Sequence, residues 1–360
     1  MKQHEVTSAD AANSGEVPFP QPGLVSNSDP KAISSLIGAR RNSRGRDWER
    51  LWERFGIGTL LLICWLIAAL TLPNFAQFDN INSILRQSSF IGISAVGMTL
   101  AIIAGNFDLS VGSTLGLCAW VGVLVASHAG VVPAILAALL CGIMVGAING
   151  VLISIIRIPA FIATLGMLFV VQGFTFVITN GETARYNGAD FVVLGNGDLL
   201  GVPIPFVIFV VCALIGVCIL SYTPLGRYIF AIGSNKETAL VVGVPIRLTI
   251  FSVFILVSLF TALAAFLLGA RLYSAGAGLE PGFELNVIAT VVLGGTRLAG
   301  GRGSMLGTIA AAILFATIGN VLNLIHTDAF VQRLAIGVVL LLALSIEGLR
   351  QRLAERLSHN

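Results

Sequence analysis

Gly105-Asn106-Phe107-Asp108-Leu109-Ser110-Val111-Gly112-Ser113 places one carboxylate between two apolar runs, 84–104 and 110–127, with no Lys or Arg within twenty residues on either side. An Asp at the centre of a membrane helix costs about 2.5 to 3.5 kcal/mol on insertion scales. Asp108 therefore belongs at a break between helices, where it caps the helix that follows, faces a water-filled path, or pairs with a distant basic side chain. An Asp followed two residues on by Ser110 is good N-cap chemistry, and the positive end of a helix dipole favours the charge. Capping and contact with a solute are compatible, and both stand open.

Outward from this break the chain is apolar almost throughout. Of its 360 residues 56% are hydrophobic and 11% charged, with a mean hydropathy of +0.91, whereas about a quarter of the residues of a soluble domain are charged. This is the composition of a polytopic membrane protein. A spanning helix takes roughly 20 apolar residues, so residues 56–348 have room for about ten spans joined by short loops, and a large soluble catalytic domain is excluded. Apolar windows read against Gly, Pro and charge punctuation predict spans at 56–72, 84–104, 110–127, 131–156, 159–179, 203–222, 248–270, 285–295, 305–325 and 329–346. The eighth covers only about half of the hydrocarbon thickness at roughly 1.5 Å per residue. The Gly294-Gly295-Thr296-Arg297-Leu298-Ala299-Gly300-Gly301-Arg302-Gly303 run after it is then irregular backbone, which survives at membrane depth only where protein shields it from lipid. The fold class expected is all-α.

Residues 1–39, rich in Ser, Asn, Pro and Ala, read as a disordered tail. The first long apolar stretch starts only at Gly56, so no short cleavable secretory signal is expected, and the first span serves as its own targeting signal. Residues 40–55 carry six Arg, with Trp48, Leu51, Trp52 and Phe55 at helical spacing. They suit either an amphipathic helix on an anionic surface or a plain charged flank of span one. With ten spans both termini share a face. Placing them in the cytoplasm puts 17 Lys and Arg on that side, including the 223–247 loop and the 349–360 tail, against Arg86, Arg185, Arg271 and Arg333 opposite.

Cys64, Cys118, Cys141, Cys212 and Cys218 all lie in apolar runs without C-x-x-C spacing, and His4, His128, His326 and His359 are scattered. Neither a disulfide framework nor a metal site is expected. No phosphate-binding loop of the G-x-x-x-x-G-K-[ST] form exists, because the three lysines follow Met1, Pro30 and Asn235. Buried ionisable relays are also sparse: apart from Asp108, only Glu284 at the start of span eight is placed to reach inward. Coupling to a separate ATPase is the economical reading. The 223–247 loop contains Gly233-Ser234-Asn235-Lys236-Glu237-Thr238 and then Gly243-Val244-Pro245. Ser234 or Asn235 caps a helix that Gly243 and Pro245 end after about two turns. By itself this is also what an ordinary connecting loop looks like.

An internal echo links Ala147-Ile148-Asn149-Gly150-Val151-Leu152, which leads to Pro159-Ala160-Phe161, with Ile318-Gly319-Asn320-Val321-Leu322, which leads to Asp328-Ala329-Phe330. These are spans four and five against nine and ten. An offset of five spans means two five-helix halves of inverted topology.

These motifs together resemble the permease subunits of bacterial ABC importers for monosaccharides of the ribose, xylose, arabinose and galactose type. The family's Gly-Gly-Ile-Asp-Leu-Ser-Val-Gly-Ser run stands here as residues 105–113, with Asn106 and Phe107 in place of Gly and Ile. Ile148-Asn149-Gly150, Arg157-Ile158-Pro159-Ala160-Phe161, Gly226-Arg227-Tyr228, Gly233-Ser234-Asn235, Gly294-Gly295-Thr296 and Gly300-Gly301-Arg302-Gly303-Ser304 follow in the family's order. The resemblance implies an alternating-access importer for a monosaccharide or similar polyhydroxylated solute, with ATP bound by a partner rather than by this chain. It also implies a second permease chain, an ATP-binding subunit, and an extracytoplasmic solute-binding protein at a bacterial inner membrane. On this reading Asp108, Ser110, Ser113 and Asn149 line the path. Asn235, Lys236, Glu237, Thr238 and Gly243 form the ATPase-docking loop, and Gly105, Gly112, Gly294, Gly295, Gly300 and Gly301 are gates or helix breaks. Asn106 and Phe107 bear on solute size or polarity, and Lys236-Glu237-Thr238 on which ATPase docks.

The leading alternative is an ion-driven carrier working alone, with Asp108 as its titrating group. A non-transporting assembly subunit would use the Gly-rich breaks only for close helix packing. A membrane enzyme lacks any usable His, Ser or carboxylate constellation.

Overall fold

The computed structural model describes residues 56–328 together with Val331, Leu334, Gly337, Val338, Leu341 and Ser345. The expected tails, the 40–55 segment and most of the tenth span lie outside the described residues. Within the described residues 56–328 twelve helices follow in order: α1 Gly56–Thr71, α2 Phe78–Ile103, α3 Val111–Ala129, α4 Val131–Ser154, α5 Ala160–Thr179, α6 Ala189–Asn196, α7 Ile204–Tyr222, α8 Pro224–Ser234, α9 Lys236–Val241, α10 Ile246–Leu272, α11 Phe283–Leu293 and α12 Met305–Leu324. Four two-residue strands, β1 Ala184–Arg185, β2 Asp198–Leu199, β3 Val202–Pro203 and β4 Ser274–Ala275, pair antiparallel as β1 with β4 and β2 with β3. Among the described residues seven helices are long and apolar enough to cross a membrane, and α1 and α11 are shorter apolar helices. The chain is an all-α polytopic membrane protein.

At the centre α10 packs along α4, α2 and α3, and α2 and α10 are the most fully enclosed of the long apolar helices, whereas α4, α5 and α7 leave most of their apolar surface exposed, as lipid-facing helices do. Without a hydrophobic drive between helices in lipid, close backbone approach supplies the packing. Gly142 and Gly146 of α4 lie one turn apart on α10: a Cβ at Gly142 would sit 2.5 Å from Ala262 Cβ, and one at Gly146 would sit 2.6 Å from Phe254 O. Polar pairs add register. Asn80 of α2 and Asn320 of α12 exchange side-chain hydrogen bonds of 3.1 and 2.7 Å, and Trp65 Nε1 of α1 donates to Thr317 Oγ1 of α12 at 2.9 Å. The five cysteines are free.

The structure departs from the expected spans at three places. Helix α2 begins at Phe78, six residues before the predicted 84, because Asn80 meets Asn320 and Asn82 donates to Gly201 O, so these polar side chains are satisfied within the protein. The connection after α5 is structured: α6 buries Phe191 against Phe266, and Asn196 donates to the α10 carbonyl of Arg271 at 3.0 Å. The 223–247 loop holds two helices rather than one. Thr223 and Pro224 start α8, with Thr223 Oγ1 accepting from the Gly226 amide, and Gly226, Ile229 and Ile232 turn inward.

Candidate functional site

Helix α2 stops at Ile103 because Gly105 takes φ +76°, and the chain closes in a Schellman turn with Gly105 N–H donating to Ile102 O and Asn106 N–H to Ala101 O. Helix α11 ends in the same way: Gly295, at φ +87°, donates to Val292 O and Thr296 to Val291 O.

Beyond the first break, Oδ1 of Asp108 accepts from the Ser110 amide at 2.8 Å and from Ser110 Oγ at 2.6 Å. Ser110, not Asp108, is the N-cap residue of α3, so the expected capping by Asp108 is corrected: its carboxylate ties the turn ahead of the helix, in an Asx turn. That leaves Oδ2 for α4. Asn149 Nδ2 donates to Asp108 Oδ2 at 3.2 Å and to Ser110 Oγ at 2.9 Å, and Ser113 Oγ donates to Ser110 O at 3.0 Å. The four predicted residues Asp108, Ser110, Ser113 and Asn149 thus gather into one network. All four are buried, and Asn149 Oδ1 is left without a donor. A buried carboxylate held only by neutral donors, beside a vacant buried acceptor, is chemistry suited to hydroxyl or amide donors. Around it, Phe107 packs on Phe161 of α5 with ring centroids 6.1 Å apart. At the start of α3 the Glu284 carboxylate lies directly over Gly112, where any Cβ would overlap it.

The remaining glycines separate into two places. Gly294 abuts α12, where a Cβ would sit 2.6 Å from the Thr308 amide. Gly300 and Gly301, at φ +83° and +75°, instead approach the end of α2, and Gly301 N–H donates to Ile103 O at 2.9 Å. The predicted loop residues stand apart from the polar network. Asn235 Oδ1 caps α9 by accepting from the Thr238 amide at 2.8 Å, Lys236, Glu237 and Thr238 are exposed, and Gly243, at φ +82°, ends the helix. Sequence reasoning passed over Leu240, Val241 and Val242, which are 66%, 86% and 69% exposed and make an apolar tip. A run of three aliphatic side chains in a short polar-capped helix was the available signal. Among the described residues no three His, Cys, Asp or Glu side chains gather as a metal site.

The family described as branched-chain amino acid transport system / permease component matches residues 80–344. The ribose import permease protein RbsC of Escherichia coli K12 is 39% identical over 309 residues, covering 84% of this chain and 95% of that protein. The protein of the same name from Bacillus subtilis 168 is 37% identical over 303 residues, covering 83% and 94%. The L-arabinose transport system permease protein AraH of Escherichia coli K12 is 32% identical over 311 residues, covering 84% and 93%. No solved structure matches. With a family match over residues 80–344 and this similarity along most of its length, the chain belongs to the transport-system permease-component family.

Proposed function

We propose that this chain is the membrane-spanning permease of an ATP-driven importer and forms the path for a monosaccharide or similar polyhydroxylated solute. The observation that carries the reading is the exposed apolar tip of α9, Leu240-Val241-Val242, presented on a capped helix at the end of the α8–α9 connection. Three bare aliphatic side chains on a charged, exposed helix suit a partner's apolar groove. That partner is an ATP-binding subunit, which holds the nucleotide. Asn235, Lys236, Glu237, Thr238 and Gly243 frame the tip. The bias of 17 Lys and Arg against four supports cytoplasmic termini at a bacterial inner membrane.

Asp108, Ser110, Ser113 and Asn149 lie at the solute path, with Gly105, Gly112, Gly294, Gly295, Gly300 and Gly301 at its moving breaks. The family's description names amino acids and the relatives' names are of sugar permeases. A zwitterion calls for both charges to be met, whereas no Lys or Arg side chain hydrogen-bonds to Asp108 among the described residues, which favours a neutral hydroxylated solute. A solute-binding protein delivers it from outside, and a second permease chain completes the path.

The test is purification of the chain from native membranes with its partners, followed by uptake of labelled ribose, arabinose and leucine into proteoliposomes. ATP-dependent uptake of a sugar with a co-purified ATPase is expected. Uptake on a proton or sodium gradient with no ATPase present would replace this reading with the ion-driven carrier.

A further inference from the structure

Three chain segments far apart in sequence meet through their backbones at one point. The Ile103 carbonyl at the end of α2 has no partner further along its own helix, as is usual for a last-turn carbonyl, and Gly301 N–H donates to it at 2.9 Å. Gly233, in the last turn of α8, faces that same carbonyl and the Gly301 amide so closely that a Cβ would overlap the carbonyl oxygen and lie 2.5 Å from the amide nitrogen. A Cβ at Gly300 would lie 2.9 Å from Gly105 N and 3.1 Å from Gly233 O, and one at Gly301 would lie 2.9 Å from Ser234 Cα. The turn carrying these glycines is itself closed, by Gly300 N–H to Arg297 O at 2.9 Å and Arg297 N–H to Arg302 O at 3.1 Å. The buried Ile103 side chain is gripped from the same turn, since a Cβ at Gly303 would sit 2.6 Å from its Cγ1.

We infer that Gly233, Gly300 and Gly301 are positioning residues. They form a backbone clamp that makes the end of α8, the α2–α3 break and the turn after α11 move as one body. Side-chain contacts can yield by changing rotamer; backbone pressed on backbone through glycine cannot, so a displacement is passed on whole. On one side of the clamp, Asn235 N–H donates to Ala231 O at 3.1 Å, and Asn235 then caps α9. On the other side Asp108 follows Gly105 by three residues, and α11 runs back to Glu284 over Gly112. A push on α9 thus reaches the buried polar network and the second break together. The inference rests on the proposed docking of an ATPase at α9 for its direction of action, not for the clamp itself.

The experiment uses the full chain with its co-purified ATP-binding subunit and solute-binding protein in proteoliposomes, comparing Gly233→Ala and Gly301→Ala with Gly173→Ala. Gly173 lies in α5 with open space around it. In both clamp variants the ATPase should co-purify as in wild type and ATP hydrolysis should persist. Solute taken up per ATP hydrolysed should fall roughly 3- to 30-fold, while Gly173→Ala keeps the wild-type ratio. An unchanged ratio in both clamp variants overturns the clamp. Should they fail to accumulate in the membrane, hydrogen exchange of the wild-type complex decides. Peptide 299–303 should stay protected in both nucleotide-free and nucleotide-trapped states and shift only in step with 231–235; loss of its protection alone overturns the clamp. Absence of any ATPase from the wild-type preparation would instead remove the proposed function, leaving the Gly301 amide of the isolated chain to report on the clamp.

Discussion

The side-chain amide of Asn149 spans α4 and the α2–α3 break, donating to Asp108 Oδ2 at 3.2 Å across 41 residues of sequence and to Ser110 Oγ at 2.9 Å. This single side chain closes the buried polar network. Its own carbonyl oxygen, buried and without a donor, marks the side from which the network can take another hydrogen bond.

Asn149→Ala leaves Asp108 Oδ2 buried without a donor, and should lower stability in detergent by about 1–3 kcal/mol, read from thermal unfolding. Combined with Asp108→Ala, the loss should be less than the sum of the two single losses, because the second change removes the group that the first left stranded. For transport, Asp108→Ala should abolish sugar uptake; uptake at the wild-type rate would take Asp108 out of the path.

The α9 tip should answer to apolarity before charge. Val241→Asp puts a carboxylate into the surface that meets the partner, and should weaken ATPase binding roughly tenfold, the equivalent of about 1.4 kcal/mol. Lys236→Glu changes an exposed charge at the rim, where the effect falls mainly on association rate and its salt dependence. Surface-immobilised ATPase titrated with detergent-solubilised variants at two salt concentrations separates the two.

The close approach of α4 to α10 predicts a steric limit. Gly146→Val drives a branched side chain into Phe254 O and Ile255 Cα, 2.6 and 2.9 Å from the first added carbon, and should destabilise by about 1–3 kcal/mol. Gly166→Ala, in open space on α5, meets no such limit and should raise the unfolding temperature slightly, because Ala is favoured over Gly inside a helix by about 0.5–1 kcal/mol.

Asn80 and Asn320 should behave as a pair. Asn320→Leu leaves Asn80 Oδ1 without its donor while Asn80 Nδ2 keeps the Phe75 carbonyl, whereas Asn80→Leu leaves both side-chain atoms of the buried Asn320 without that partner, so Asn80→Leu should cost the more, about 1–3 kcal/mol. Replacing both should cost less than the two single changes together, as a double-mutant cycle on thermal unfolding will show.

Much of this protein was legible in its residues. The positions of α3, α5, α7 and α12 follow the apolar windows to within two residues at either end, because insertion into lipid answers to local hydrophobicity alone. The ends of α2, α9 and α11 could be read at Gly105, Gly243 and Gly295, since a helix that closes in a left-handed residue favours glycine there. Asn235 could be read as a cap for the same local reason. Helix α8 is announced only by Thr223-Pro224, and Arg227 and Tyr228 among its apolar residues give it the look of a loop. The early start of α2 was not legible at all: Asn80 and Asn82 look like a polar boundary until Asn320 and Gly201 are beside them.

By itself, then, the sequence determined which segments are apolar enough to enter a membrane, where their helices break, and which few polar residues have to be sheltered there. All of these depend on a residue and its near neighbours in the chain. Only the tertiary structure decided that Asn149 is what meets Asp108, that Glu284 covers Gly112, and that Gly301 rather than water satisfies the last carbonyl of α2. Such pairings join residues up to some 200 positions apart. They exist because helices packed in lipid bring particular backbones within contact distance, and at that distance buried polar groups take whichever partner the packing supplies.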